Sequence, residues 1–298
     1  MAKISLSIGA LQRTYGDKRA LEMAKEAGFD GVDLDVSGYG RKERPDVFHM
    51  PHEEFVAYFK ELKEHADKVG IVIVQTHNLV GAYTPDPEIC EMRKLEALRG
   101  IEATALLGCE YTVVHCISTM HWGFDVPAKV MHTENQKMYA DFIPTAEEFG
   151  VKICMETFGR CHHGGVHGFD YFSNPELMLA EYESLPTKMK AFCMDTGHTN
   201  DAVGAGYLSV PNFIRLFGKR IKVLHLHDNN TYSDQHLIPG QGSINWKETF
   251  KAFKEIGYDG YYNFEINLTK LGPDYEVLVP FLGKYLRSFT ERYVDEGL

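Results

Sequence analysis

The chain reads as one α/β domain, a (β/α)8 TIM barrel with a metal site at the C-terminal ends of its strands. Three observations predict it. Short apolar runs alternate with helical-period stretches along the 298 residues, giving eight strand–helix units with no linker or low-complexity segment between them. Four runs in the second half each stop on a residue able to bind a metal: Val-Lys-Ile-Cys-Met-Glu (151–156), Ala-Phe-Cys-Met-Asp (191–195), Val-Leu-His-Leu-His (223–227) and Tyr-Tyr-Asn-Phe-Glu (261–265). No G-x-G-x-x-G follows the first strand, which removes the main argument for an open dinucleotide-binding sheet. A barrel of this kind typically takes about 250 residues, so 1–298 is expected to be a single domain.

In order, Ile4–Ile8 alternates as a strand, and Arg19–Ala27 places Ala20, Leu21, Ala24 and Ala27 at helical spacing before Gly28 as a C-cap. Gly31–Val36 is the second strand, and a helix over Glu53–Lys68 is stopped by Gly70. Ile71–Gln75 is rich in β-branched residues, as expected of a strand buried on both faces. A helix over Cys90–Leu107 precedes the strand Tyr111–His115, and Asn135–Phe149 leads as a helix into the strand ending at Glu156. After Asp195 come a helix near Val210–Phe217, the strand to His227, a helix Trp246–Ile256 and the strand to Glu265. The sixth helix is the weakest in the pattern. Pro280–Arg292 closes the chain as a helix with the proline in its first turn, where the missing N–H is harmless.

Composition is that of a globular protein, 44% hydrophobic and 24% charged. The formal charge of −11 opposes bulk attraction to nucleic acid or an anionic membrane, so neither is an expected partner. The Met-Ala-Lys-Ile-Ser-Leu-Ser start lacks a signal-peptide pattern, and no run of about 18 apolar residues occurs. The six cysteines are scattered without a CxxC pair. They read as reduced core thiols, and the expected location is the cytoplasm.

Parallel strands joined by helices put all their C-terminal ends on one face. Glu156, Asp195, His227 and Glu265 would therefore converge as ligands of one divalent metal. His77 and His115 end strands three and four, His198 lies three residues past Asp195, and Asp234 and His236 follow His227. Each alone is weak evidence, because a single histidine at a strand end is usually a hydrogen-bonded structural residue. Together they form a pattern, because charged residues are disfavoured inside apolar strands. His77, His115, His198, Asp234 and His236 are thus candidates for extra metal ligands. Arg160-Cys-His162-His-Gly-Gly-Val-His (160–167) is a histidine-rich loop for a second metal, a phosphate or a mobile cover. Trp122, Phe124 and Phe158 would form apolar walls. Oxygen-rich ligation with one imidazole suits manganese or magnesium.

The motifs Met-Glu156, Met-Asp195-Thr-Gly-His198, Leu-His225-Leu-His227-Asp228, Asp234-Gln-His236-Leu-Ile-Pro-Gly-Gln-Gly and Phe-Glu265 resemble the xylose isomerase-like barrel superfamily across the whole chain. The resemblance implies a divalent-metal-dependent sugar isomerase or epimerase of carbohydrate metabolism, with manganese the expected ion and magnesium, cobalt or zinc the alternatives. It implies that Glu156 and Glu265 also shuttle protons through a metal-stabilised enediolate. His198, His77, His115, His236, Arg160, His162 and Trp122 are then expected to contact a small sugar, in a protein that commonly forms dimers or tetramers. Where epimerases of this kind carry an acid six residues past the first metal glutamate, this chain has His162. That departure keeps open a dehydratase or lyase acting on a keto-polyol. Endonuclease IV, a zinc phosphodiesterase of the same superfamily, has a matching position for every ligand type, and it stands as the other alternative.

Overall fold

A computed structural model describes residues 2–39, 44–78 and 83–296. Among these, β1 (Ile4–Ser7), β2 (Gly31–Asp35), β3 (Val72–His77), β4 (Tyr111–Val114) and β5 (Lys152–Glu156) run parallel in chain order. A two-stranded hairpin, β6 (Arg160–His163) and β7 (Val166–Phe169), stands outside the main sheet. Then β8 (Lys190–Asp195), β9 (Ile221–His225) and β10 (Tyr262–Phe264) complete an eight-stranded sheet in which β10 pairs with β1. The last seam is a single parallel bridge. Leu226 N–H donates to the Asn263 carbonyl at 2.8 Å and Glu265 N–H donates to the Leu226 carbonyl at 3.1 Å. The barrel expected from the alternating pattern is the barrel observed.

The helices are α1 (Gly9–Tyr15), α2 (Asp17–Glu26), α3 (His52–Val69), α4 (Pro87–Leu106), α5 (Thr119–Trp122), α6 (Ala128–Phe149), α7 (Pro175–Ser184), α8 (Thr196–Val203), α9 (Val210–Phe217), α10 (Trp246–Glu255), α11 (Leu268–Leu271) and α12 (Tyr275–Val294). The stop signals behave as expected: Gly70 and Gly150 take left-handed conformations directly after α3 and α6. The periodicity of the sequence does not bring out α1, α7 or α8. α7 is opened by Asn174, whose side chain accepts from the Glu176 and Leu177 amides, with Pro175 at the first turn. The final helix starts earlier than expected, so Pro280 sits inside α12 instead of at its first turn. Tyr275 and Val279, both buried, draw the chain into the helix before the proline. The missing Pro280 N–H then costs one intrahelical bond, which the packing tolerates.

The two faces of the strands do different work. The outward face joins the helices in one continuous core, and fully buried aromatics such as Phe142, Phe192, Phe217 and Phe253 each contribute about 1.5–3 kcal/mol by leaving water. The inward face holds a small plug of Val113, Cys154, Ala191, Cys193 and Val223. Side chains alternate with period two, so two residues beyond this plug the inward positions are His115, Glu156, Asp195 and His225. The barrel thus changes from apolar to ionisable within one layer. All six cysteines are free thiols. No helix among the described residues is long and apolar enough to cross a membrane.

Candidate active site

The centre of the site is His225, an imidazole that the strand-end pattern passes over in favour of His227. β9 ends at His225, in register with Asp195 of β8, and His227 lies two residues further out. His225 is fully buried. Its Nδ1 is 2.7 Å from Glu156 Oε1, 3.2 Å from Glu265 Oε2 and 4.0 Å from Asp195 Oδ2, so it faces three of the four expected ligands. Its Nε2 lies 3.2 Å from Asp33 Oδ2 on β2, whose same oxygen accepts from Ser7. Of the three expected carboxylate ligands, His227 comes within 4.0 Å of Asp195 alone, at 3.0 Å, and it stacks on His236 at 3.9 Å between ring centroids. In Leu-His-Leu-His both histidines share the inward face, so alternation alone could not choose between them. The strand register does.

Around this centre the other predicted residues gather in two further groups. His115 Nε2 lies 2.6 Å and His77 Nε2 3.7 Å from Glu156 Oε2, one group on the β3–β5 side. Asp234 Oδ2 lies 2.9 Å from His236 Nε2 and 3.4 Å from His198 Nε2, a second group on the loop side. His198 is positioned by its own helix start: Asp195 caps α8 by accepting the His198 amide, and the His198 ring Nδ1 pairs with the Thr157 carbonyl at 2.9 Å. His236 adopts a left-handed φ of 49°, rare outside glycine, and is pinned there by Asp234 and by the Glu265 carbonyl.

Electrostatically the cluster is self-neutralising. Burial works against ionisation of Glu156, but His225 and His115 outweigh it and hold its carboxyl well below the usual range. Burial likewise opposes the charged forms of His225 and His198. The acids around them win, lifting both well above an ordinary imidazole. His236 rises to about 9, with burial opposing and Glu265 and Asp234 raising it.

Among the described residues two buried ring nitrogens here, His115 Nδ1 and His227 Nδ1, have no hydrogen-bond partner, and Glu156 Oε2 meets only histidine nitrogens. Such orphans are costly unless something else coordinates them. Histidine and carboxylate atoms come within 4.8 Å of one another in the sets His77–His115–Glu156, His77–His225–Glu265, His227–His236–Glu265 and His198–Asp234–His236. This donor set fits a divalent cation, with imidazole nitrogens and carboxylate oxygens converging at the buried floor of a cleft.

The cleft above is two-lobed. A cavity of about 540 Å³ is lined by Glu156, His115, His198, Arg160, His162 and Asp234, and one of about 360 Å³ by Ser7, Arg13, Asp35, Ser37 and Asn267. His77, His236 and Glu265 line both. Arg160 and His162 are thus on the cavity wall. Trp122 is not; its indole N–H donates to the Tyr83 carbonyl at 3.3 Å and it lines neither lobe. The histidine-rich loop is the β6–β7 hairpin, pairing His162 with His167.

Fold and site together define a (β/α)8 barrel whose strand ends carry a buried histidine–carboxylate centre. The chain belongs to the xylose isomerase-like TIM barrel family, whose model matches residues 21–279. Fructoselysine 3-epimerase of Shigella flexneri is 22% identical over 265 residues, covering 84% of each protein. Among solved structures, a D-tagatose 3-epimerase-like protein superposes with a TM-score of 0.73 at 22% identity, covering 99% of this chain and 98% of the other. The IOLI protein with a bound zinc atom gives 0.72 at 18% identity, covering 99% of both.

Proposed function

We infer that the protein is a divalent-metal-dependent sugar epimerase or isomerase that moves a proton at the carbon beside a carbonyl. The observation carrying this reading is that Glu156 and Glu265 approach one imidazole, His225 Nδ1, at 2.7 and 3.2 Å on the floor of a cleft open to small molecules. Two carboxylates so placed can act as base and acid on one bound carbon. Glu265 lines both lobes, so it reaches ligand from either side. Glu156, Asp195, His225 and Glu265 would hold the metal. Bound there, the ion would polarise the sugar carbonyl and acidify the neighbouring C–H. His198, anchored through Thr157, offers its other ring nitrogen to the cavity beside Asp234. The similarity to ketose 3-epimerases supports the same class. Glu156→Gln and Glu265→Gln should each abolish deuterium uptake from D2O into a ketose while the thermal unfolding transition stays cooperative. Exchange retained in either variant would remove that carboxylate from the proposed role.

A second reading is favoured by one observation. The sets His77–His115–Glu156 and His198–Asp234–His236 flank the His225 centre as separate ligand groups, an arrangement suited to a multi-zinc phosphodiesterase of the endonuclease IV kind. Two or three zinc ions per chain with cleavage of an abasic-site duplex would select it. A charge of −11 weighs against it.

A further inference from the structure

The outer end of the larger cavity differs in charge from its floor. The register of the hairpin pairs Arg160 with Phe169 and His162 with His167, which puts these four side chains on one face of the ribbon. Arg160, His162 and His167 all line the cavity, and the segment that follows Thr231 supplies Tyr232 and Ser233. The carboxylates lining this cavity are Glu156, Asp234 and Glu265, all engaged with histidines of the centre. The hairpin face therefore presents a guanidinium and two imidazoles with no acid of its own, and the hydroxyls of Tyr232 and Ser233 line the cavity with it. Arg160 is set in place without being neutralised: Nε donates to the Thr231 carbonyl at 3.0 Å and the guanidinium lies 4.6 Å over the Phe169 ring. Among the described residues it forms no ion pair, in a chain where acids outnumber lysine and arginine by 42 to 31. Asp201, an acid on which its charge acts, does not line the cavity. Neutral or charged, an imidazole can still present an N–H donor. A wall of donors over a floor of acids suits a ligand that is neutral and oxygen-rich at one end and anionic at the other.

We propose that the β6–β7 hairpin recognises an oxyanion carried by the substrate, so that the protein acts on an acidic sugar, either a sugar phosphate or a sugar acid. This rests on the sugar-epimerase reading of the floor. The anionic group sits against Arg160, His162 and His167 while the carbonyl end reaches Glu156 and Glu265. Bidentate guanidinium contacts to phosphate or carboxylate are among the stronger hydrogen bonds available to a protein.

The test titrates the purified, metal-containing protein with D-fructose, D-fructose 6-phosphate and D-fructuronate by calorimetry, and follows deuterium uptake from D2O in the same samples. The expected result is at least about ten-fold tighter binding of one charged ketose than of D-fructose. Preference for the phosphate identifies an ester as the anion, and preference for fructuronate identifies a sugar acid. The double variant His162→Gln/His167→Gln should remove about ten-fold of that advantage, whereas His163→Gln, on the other face of the ribbon, should keep it. Equal binding of all three sugars, no binding of either charged one, or an advantage unchanged in the double variant overturns the proposal. A preserved advantage lost in the double variant, with no deuterium uptake from any sugar, would instead count against the proton-transfer reading and leave the anion site standing.

Discussion

Replacing His225 with alanine is the perturbation for which the structure gives the sharpest expectation. The ring is fully buried and its two nitrogens face Glu156, Glu265 and Asp33. Its loss leaves buried carboxylates facing one another without the cation that balances them, and removing one partner of a buried pair costs about 3–5 kcal/mol. At roughly 2–4 °C per kcal/mol for a domain a little smaller than this one, the metal-free variant should unfold roughly 6–20 °C lower than the metal-free parent. Metal affinity should also fall beyond the roughly 10–100-fold expected for loss of an outer-shell partner. His227→Ala is the matched control. It removes one bond to Asp195 and a ring nitrogen without a hydrogen-bond partner among the described residues, so its effect on metal affinity should stay within that range. The assay is elemental analysis after dialysis against graded metal buffers, with thermal unfolding in chelator. If His227→Ala loses the metal and His225→Ala keeps it, assignment of the central ligand by strand register is refuted.

Other outcomes follow from the same geometry. Asp33→Asn should weaken metal binding about 10–100-fold with little change in substrate-free stability, because Asp33 orients His225 from behind; unchanged affinity would remove it from that role. Gly197→Ala would place a Cβ 1.9 Å from His227 Cε1, so it should displace that ring and cost about 1–3 kcal/mol in denaturant titration. In the metal-free protein the raised pKa of His236, about 9, gives a stabilisation fully present below the unfolded value of about 6.5 and lost as pH rises through about 9. The unfolding temperature in chelator should therefore fall between about pH 7 and 10, and His236→Gln should flatten that decline.

The barrel was legible because parallel strands buried on both faces are short apolar runs, and glycines at positive φ mark where helices stop, as at Gly70 and Gly150. The site was legible to the level of its layer. Glu156, Asp195 and Glu265 stand out because burying an acid at the end of an apolar run is costly unless a cation or hydrogen bonds meet it there. That His225 lies against Glu156 and Glu265 was hidden because residues two apart share a face, and only pairing with β8 shows where β9 ends. Asp33 was hidden for a related reason: its partner is 192 residues away, and nothing local distinguishes it from Asp35 in Gly-Val-Asp-Leu-Asp. The hairpin has the sequence character of a loop because its strands are polar and four residues long, with no apolar face to bury. Trp122 looks like a cavity wall because it follows a strand end, but the short helix α5 directs its indole to the Tyr83 carbonyl.

The most direct test of the central claim is deuterium exchange into a ketose panel in D2O, with and without divalent metal, followed by NMR. The expected result is loss of the proton signal at the carbon beside the carbonyl, dependent on added manganese, magnesium, cobalt or zinc and absent in Glu156→Gln and Glu265→Gln. Sugar bound by the metal-loaded protein with its carbon-bound protons unexchanged would contradict it.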